Sequence, residues 1–109
     1  MRRPFSPTVL HLLLALTDGP RHGYAIKLEA EARSGGAVKV GPGTLYEALQ
    51  RLLDAGLVRE THAKSHPANG QQAQRRYYEL TARGRRLLQE EVAWLGRVVD
   101  YAQSKLEPA

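Results

Sequence analysis

Apolar residues between positions 41 and 57 recur at spacings of three and four, which is the period of an α-helix. Pro42 stands where a first helical residue belongs, and Gly56 follows the last apolar position, where a left-handed cap commonly ends a helix. The sequence therefore predicts an amphipathic helix of about three turns. Its apolar face consists of Leu45, Ala48, Leu49, Leu52 and Leu53.

The opposite face of this helix carries residues that suit contact with another molecule. Tyr46 and Gln50 lie four apart, so an aromatic ring and an amide stand side by side. Gly43 and Thr44 give the N-terminal end little bulk, which allows a close approach. The alternative is a solvated surface, as most polar helix faces are. We favour a contact face, formed by Gly43, Thr44, Tyr46, Glu47, Gln50, Arg51 and Asp54.

Two further helices precede this one. Ser6 can cap a helix that begins at Pro7 and runs to about residue 17. This helix is apolar nearly all round, so it belongs in the core or between the core and a partner. A second helix follows His22-Gly23 and reaches about residue 33. Residues 37–40 are long enough only for a connector or an edge strand.

A β-hairpin is predicted after the third helix. Residues 57–64 and 75–81 have strand character, and the polar segment between them contains Asn69-Gly70, a strong turn pair. Three helices followed by a hairpin are the order of a winged helix-turn-helix. We therefore expect a mainly α fold with a small β-hairpin as its wing.

The last predicted helix has the pattern of a dimerisation helix. Thr81 can cap it, and it runs to about residue 106 with apolar positions at alternating spacings of four and three. A second row widens the apolar face: Leu87, Trp94, Val98 and Tyr101. We favour homodimerisation through this helix, because one intramolecular contact would not cover so wide a face. The alternative is a helix that folds wholly onto its own domain.

Length and charge narrow the class of protein. A chain of 109 residues fits one structural unit, which we divide into a winged helix-turn-helix at 1–81 and the dimerisation helix at 82–109. The formal net charge is +5, and residues 57–86 hold seven cations against two carboxylates. This balance favours an acidic partner such as nucleic acid. Alternatively, Arg83, Arg85 and Arg86 simply solvate the first turn of the last helix.

The sequence does not support several other classes of protein. With no cysteine, the chain has no disulfide, thiolate nucleophile or cysteine-ligated zinc. No catalytic motif stands out, residues 36–43 lack the lysine of a phosphate-binding loop, and His62 and His66 are not expected to bind a metal. Arg2-Arg3 and the short apolar run behind it resemble a signal only superficially. We expect a cytoplasmic, unprocessed chain that is not an enzyme and has no cofactor, metal or membrane partner.

Five segments in order resemble the PadR family of bacterial transcriptional regulators. Any one of them is weak evidence, but the ordered set at this spacing is specific. They are LLLAL at 12–16, GPRHGYAI at 19–26, GTLYEALQRL at 43–52, GLV at 56–58 and RYYELT at 76–81.

The resemblance implies a homodimeric repressor that binds a palindromic double-stranded DNA operator and is released by a small-molecule effector. The helix from Pro42 would enter the major groove. The implied DNA contacts are Tyr24, Lys27, Pro42, Gly43, Thr44, Tyr46, Glu47, Gln50, Arg51, Lys64, Arg75 and Arg76. The predicted dimer interface is the heptad seam of the last helix together with two residues of the first helix: Leu88, Val92, Leu95, Val99, Ala102 and Leu106, with Leu10 and Leu13. An aromatic effector would contact Trp94 and Val98.

The chain departs from the family pattern at the wing and on the contact face. The wing tip is rich in glutamine and has no charge of its own, and Glu47 and Asp54 lie on the face predicted to meet DNA. One alternative stays open, a winged-helix module that binds a protein or a ligand and never DNA. Steep salt dependence of DNA binding separates the two hypotheses.

Overall fold

The computed structural model describes residues 5–61 and 76–108, which form four helices and three strands. The elements are α1 (Pro7–Leu14), β1 (Arg21–His22), α2 (Gly23–Arg33), α3 (Pro42–Asp54), β2 (Val58–Thr61), β3 (Tyr77–Leu80) and α4 (Ala82–Leu106). This is the predicted order of three helices, a strand pair and a long last helix. The predicted wing tip at 65–73 lies outside the described residues.

The first helix begins as predicted but ends earlier. The Ser6 hydroxyl accepts a hydrogen bond from the backbone N–H of Val9 at 3.2 Å, and Pro7 is the first helical residue. The predicted end near residue 17 is wrong, because α1 ends at Leu14. There the backbone N–H and the hydroxyl of Thr17 both bond the Leu14 carbonyl, at 3.1 and 2.8 Å. These bonds close a turn instead of extending the helix.

A strand that the sequence did not predict completes the sheet. β1 has only two residues and is a strand solely because it pairs with β3, with His22 opposite Tyr77 and Arg21 opposite Tyr78. The predicted pairing of β2 with β3 is confirmed and is antiparallel, so the sheet order is β1-β3-β2. His22 also caps α2, since its Nδ1 accepts the backbone N–H of Ala25 at 3.2 Å.

One core joins the first three helices to the sheet. Its largest fully buried side chains come from α1, α2, α3, β2, β3 and the turn after α1: Leu12, Leu13, Leu16, Ile26, Leu45, Leu49, Val58 and Tyr78. The last helix adds Leu88, which is 4% exposed. The sequence left two places open for α1, and the structure shows that it contacts the core through Leu12 and Leu13.

The last helix extends far beyond this core. It has 25 residues, or roughly 37 Å at the usual rise, and its buried residues are Gly84, Leu88 and Glu91, all in its first half. The structure accordingly measures 61 × 27 × 23 Å. Beyond Glu91, the helix has only partly buried or exposed side chains.

The start of α4 is fixed to the end of α3 by a small cluster that we call the α3–α4 joint: Gly56, Leu57, Thr81 and Gly84. The Thr81 hydroxyl donates to the Gly56 carbonyl at 2.6 Å and accepts from the backbone N–H of Gly84 at 3.0 Å. The backbone N–H of Thr81 donates to the Leu57 carbonyl at 3.1 Å. Gly56 has φ of 76°, the left-handed conformation predicted for the cap of α3.

The joint predicts a strong effect of a single methyl group. A Cβ at Gly84 would lie 2.0 Å from the Leu57 carbonyl oxygen, so Gly84→Ala should force the two backbones apart. We expect the free energy of unfolding to fall by about 3 kcal/mol, measured by urea denaturation. Gly96→Ala is the matched control on the same helix, where no atom within 4 Å obstructs a Cβ, and should add about 0.5–1 kcal/mol. Equal stability of the two variants would contradict this account of the joint.

Candidate nucleic-acid interface

The α3 helix divides into a buried apolar face and an exposed polar face, as the sequence predicts. Leu45, Leu49 and Leu52 are each at most 5% exposed and hold the helix against the core. The residues predicted for contact all lie on the exposed side: Pro42, Gly43, Thr44, Tyr46, Glu47, Gln50, Arg51 and Asp54. A polar surface on a rigidly packed helix is therefore presented to the outside.

Tyr46 connects this face to α2. A Cβ at Gly23, the first residue of α2, would lie 2.7 Å from the Tyr46 hydroxyl oxygen, so only glycine allows the ring to pack there. Tyr46 nevertheless stays 49% exposed. The ring thus fixes the approach of α2 and α3 and keeps an outward edge for another molecule. Tyr24, the next residue of α2, is 56% exposed beside it in sequence.

Among the residues that the structure describes, the C-terminal half of the exposed face carries one hydrogen-bonded pair, Gln50 and Asp54, and one cation without a partner, Arg51. The Gln50 amide donates from Nε2 to Asp54 Oδ1 at 3.0 Å. The Arg51 guanidinium is exposed and makes no hydrogen bond or ion pair within residues 5–61 and 76–108. Arg51 is therefore available to bind an anion.

The connection between α2 and α3 is fixed by two side chains of α2 and its cap. Glu31 Oε2 accepts from Lys27 Nζ at 2.8 Å and from the backbone N–H of Val40 at 3.2 Å. The Ser34 hydroxyl donates to the Glu31 carbonyl and accepts from the backbone N–H of Val38. Val38 and Val40 are buried, so the path into α3 is set. Lys27, which the resemblance implied as a DNA contact, forms an ion pair with Glu31 in this structure.

The contacts of Glu31 also shift its proton affinity. The hydrogen bond from Lys27, and then the one from the backbone N–H of Val40, lower the pKa of the Glu31 carboxyl below its ordinary value of 4.5. Both contacts favour the ionised form over the protonated one. Glu31 is therefore a carboxylate that fastens the entry to α3.

Three arginines donate hydrogen bonds to backbone carbonyl groups at or just after helix ends, and two of them, Arg83 and Arg85, belong to the positively charged residues 57–86. Arg83 Nε donates to the Ala55 carbonyl at 3.3 Å, where α3 ends, and Arg85 Nη2 donates to the Thr17 carbonyl at 3.4 Å, just after α1. Arg21 Nε donates to the Ala15 carbonyl at 2.8 Å, at the C-terminal cap of α1. Cations favour the negative end of a helix dipole. The structure thus gives Arg83 and Arg85 a role that neither sequence hypothesis contained.

Two further arginines form ion pairs with glutamates of β2 and β3. Arg59 Nε lies 2.6 Å from Glu79 Oε2, and Arg76 Nε lies 3.6 Å from Glu60 Oε1. Arg76, one of the implied DNA contacts, is highly exposed, so its ion pair is weak and can be exchanged. Lys64 and Arg75, two further implied contacts, lie outside the described residues.

The residues predicted for a dimer interface divide into two groups. Leu13 is 0% and Leu88 is 4% exposed, so both pack in the core of their own protomer, and a place for them at a dimer interface stays a prediction. The helical spacing put Leu88 in the heptad seam, but α4 uses its first turns to close the core. The other six predicted residues are partly or well exposed: Leu10, Val92, Leu95, Val99, Ala102 and Leu106.

A groove between α1 and α4 is lined in part by Leu14, which was not among the residues predicted for the dimer interface. It holds about 340 Å³ and is lined largely by apolar atoms, among them those of Leu14, Leu88 and Val92. Leu14 is 37% exposed, and the apolar pattern all round α1 was the signal that pointed to it. Trp94, the predicted effector contact, is partly buried, and Val98 is 42% exposed.

The described residues contain no group of three or more histidine, cysteine, aspartate or glutamate side chains that could hold a metal ion. None of the helices in that part of the chain is long and apolar enough to cross a membrane.

Three helices, a three-stranded antiparallel sheet and a projecting last helix define a winged helix-turn-helix protein with an exposed third helix. Residues 10–90 match the model of the transcriptional regulator PadR-like family, so the chain belongs to that family. PadR-like proteins are transcriptional regulators and not enzymes.

Known proteins share the fold or part of the sequence of this chain. A PadR-like transcriptional regulator from Bacillus cereus shares the fold with a TM-score of 0.75 at 21% identity, covering 93% of this chain and 92% of that one. PadR of Bacillus subtilis, solved in complex with operator DNA, has a TM-score of 0.59 at 23% identity, covering 80% of this chain and 45% of that one. An uncharacterized 37.1 kDa protein of a Streptomyces fradiae transposon is 41% identical over 87 residues. Those residues are 80% of this chain but only 22% of that protein, so this chain spans about a fifth of its curated relative.

The Glu31 contacts predict how stability depends on pH. A carboxyl whose pKa is lowered by folding stabilises the fold above its ordinary pKa and loses that contribution as the pH falls through the lowered value. Glu31→Gln should therefore reduce stability at pH 7, and the difference from the parent chain should shrink as the pH falls below about 4.5. Thermal unfolding from pH 7 to pH 3 measures this. Glu90→Gln, at an exposed position of α4, is the control; a similar pH-dependent difference for Glu90→Gln would contradict the assignment to Glu31.

Proposed function

We propose that this chain is a homodimeric transcriptional regulator that binds double-stranded DNA sequence-specifically through α3. The observation that carries the proposal is the exposed polar face of α3, held rigidly by Leu45, Leu49 and Leu52 in a PadR-like chain. The complex of Bacillus subtilis PadR with operator DNA supports it by analogy of fold. In this proposal the unit at 1–81 binds DNA and the helix at 82–109 dimerises.

The exposed face of α3 offers donors and acceptors suited to the major groove, into which α3 would be inserted. Gly43 and Thr44 allow the free backbone N–H groups of the first turn to approach phosphate oxygens. Gln50 can pair with adenine through its amide, and Arg51 with guanine through its guanidinium. Glu47 can accept from the amino group of cytosine and would repel phosphates elsewhere.

Phosphate contacts would come from the edges of this face. Tyr24 is 56% exposed on α2, and Arg76 can exchange its weak ion pair with Glu60 for a phosphate. Lys27 can reach a phosphate only by leaving Glu31, so we expect it to contribute less than Arg51. Lys64 and Arg75 remain proposed wing contacts.

A second copy of the chain is the proposed partner of α4. Val92, Val98, Val99, Tyr101 and Leu106 are each at least 42% exposed, and this apolar surface lies on a helix that extends beyond the core. Twofold pairing of two such helices would cover it, with Leu10, Leu95 and Ala102 at its edges. The pair would present two α3 helices to a palindromic operator.

Repression and its release are the finer part of the proposal. An aromatic small molecule bound between the subunits against Trp94 and Val98 would favour one arrangement of the dimer. Since binding equilibria are linked, an effector that prefers the arrangement unable to fit the operator would lower DNA affinity. The partly buried Trp94 gives such a molecule an apolar ring to stack on.

DNA binding and its salt dependence test the function itself. The chain should bind DNA from upstream of its own gene more tightly than scrambled DNA of the same composition. The logarithm of the binding constant should fall linearly with the logarithm of salt concentration, by about 0.9 for each phosphate neutralised. Fluorescence anisotropy with labelled duplexes measures both. Absence of binding to either duplex at low salt would contradict the proposal.

Val99→Glu tests the dimer. Val99 is 51% exposed in the protomer, so a carboxylate there should leave the fold intact but be buried, unpaired, in the proposed interface. We expect a monomer in analytical ultracentrifugation and at least a tenfold loss of operator affinity. Gln103→Glu places the same charge at an exposed polar position of α4 and should stay dimeric. A dimeric Val99→Glu variant would place the interface elsewhere.

A further inference from the structure

We propose that Asp54 is a positioning residue that orients the Gln50 amide to select adenine at one position of each half-site. The inference rests on the proposed function, since it assumes that α3 binds DNA. It goes further by making the preference of Gln50 for adenine depend on Asp54, which gives a role to a carboxylate that the charge of DNA would otherwise disfavour.

The hydrogen bond defines which way the amide faces. A carboxylate only accepts hydrogen bonds, so the group of Gln50 that lies 3.0 Å from Asp54 Oδ1 must be the amino end. The two ends of the amide are therefore not interchangeable here. Asp54 selects one of the two orientations that a free glutamine would sample.

The groups that remain on the amide match adenine. An amide has two N–H groups, and Asp54 takes one of them, which leaves one N–H donor and the carbonyl acceptor. Adenine offers N7 as an acceptor and its N6 amino group as a donor in the major groove. Guanine offers two acceptors, N7 and O6, so the remaining groups of Gln50 satisfy only one of them. The oriented amide should thus prefer adenine over guanine.

The position of Asp54 is unfavourable for stability alone. It lies in the last turn of α3, where a negative charge opposes the helix dipole, and it is exposed on the same face as Arg51. Near DNA, it would also be repelled by phosphates. The helix dipole and the DNA phosphates both disfavour this carboxylate. Its presence is explained if it orients the Gln50 amide, one helical turn before it.

Four chains and a randomised DNA library test the inference. The parent chain and three variants each select duplexes from the library, and sequencing gives the base preference at every position. The variants are Asp54→Ala, Asp54→Asn and Gln50→Ala. Asp54→Ala and Asp54→Asn remove the same charge, but only asparagine keeps a carbonyl oxygen that can accept the Gln50 N–H. The pair therefore separates the orientation of Gln50 from the repulsion of phosphates.

We expect the parent chain to prefer adenine over guanine at least about fivefold at one position per half-site. Gln50→Ala and Asp54→Ala should lose that preference at the same position, and Asp54→Asn should retain most of it. Thermal unfolding of all four chains checks that they are folded.

Three results would overturn the inference. The first is an unchanged adenine preference in Asp54→Ala, and the second is an equal loss in Asp54→Ala and Asp54→Asn, which would assign the effect to charge. The third is a parent motif in which Gln50→Ala changes no position, because Gln50 would then read no base. A parent chain that enriches no motif at all contradicts the proposed function itself, which is a distinguishable outcome.

Discussion

The hydroxyl of Thr81 holds together the two helices on which this structure depends. It bonds the carbonyl of Gly56 at the end of α3 and caps the N–H of Gly84 at the start of α4. Because Gly84 has no side chain, α4 can press its first turn onto the Leu57 backbone. The exposed helix and the projecting helix are therefore joined as one rigid unit, and a dimer formed by α4 would fix the separation of its two α3 helices.

A second layer of constraints fixes the start of α3. Glu31 fastens the connection before the helix through Val40, and Gly23 admits the Tyr46 ring between α2 and α3. Two arginines also stabilise the fold, because Arg83 and Arg85 donate hydrogen bonds to backbone carbonyls after α3 and α1. The net positive charge of the chain thus overstates the cations that are free for phosphates, and Arg51 gains importance because nothing in the described residues pairs it.

Local signals predicted the parts of the fold that depend on local chemistry. Ser6, Pro42 and Gly56 marked helix ends correctly, and the apolar spacing of α3 identified its buried face. The two-residue strand β1 could not be predicted, because it exists only through pairing with β3, which lies more than fifty residues away. The spacing that placed Leu88 in the predicted interface shows which residues share a face, but it could not show that Leu88 also packs against the core of its own protomer.

We propose that two copies of α3, held by α4 at a fixed separation, bind one DNA duplex. A hydroxyl-radical footprint on DNA from upstream of the chain's own gene tests it most directly. We expect two protected patches related by twofold symmetry, with centres one helical turn of DNA or a multiple of it apart, about 10 base pairs per turn. A single asymmetric patch, or uniform protection along the duplex, would contradict it.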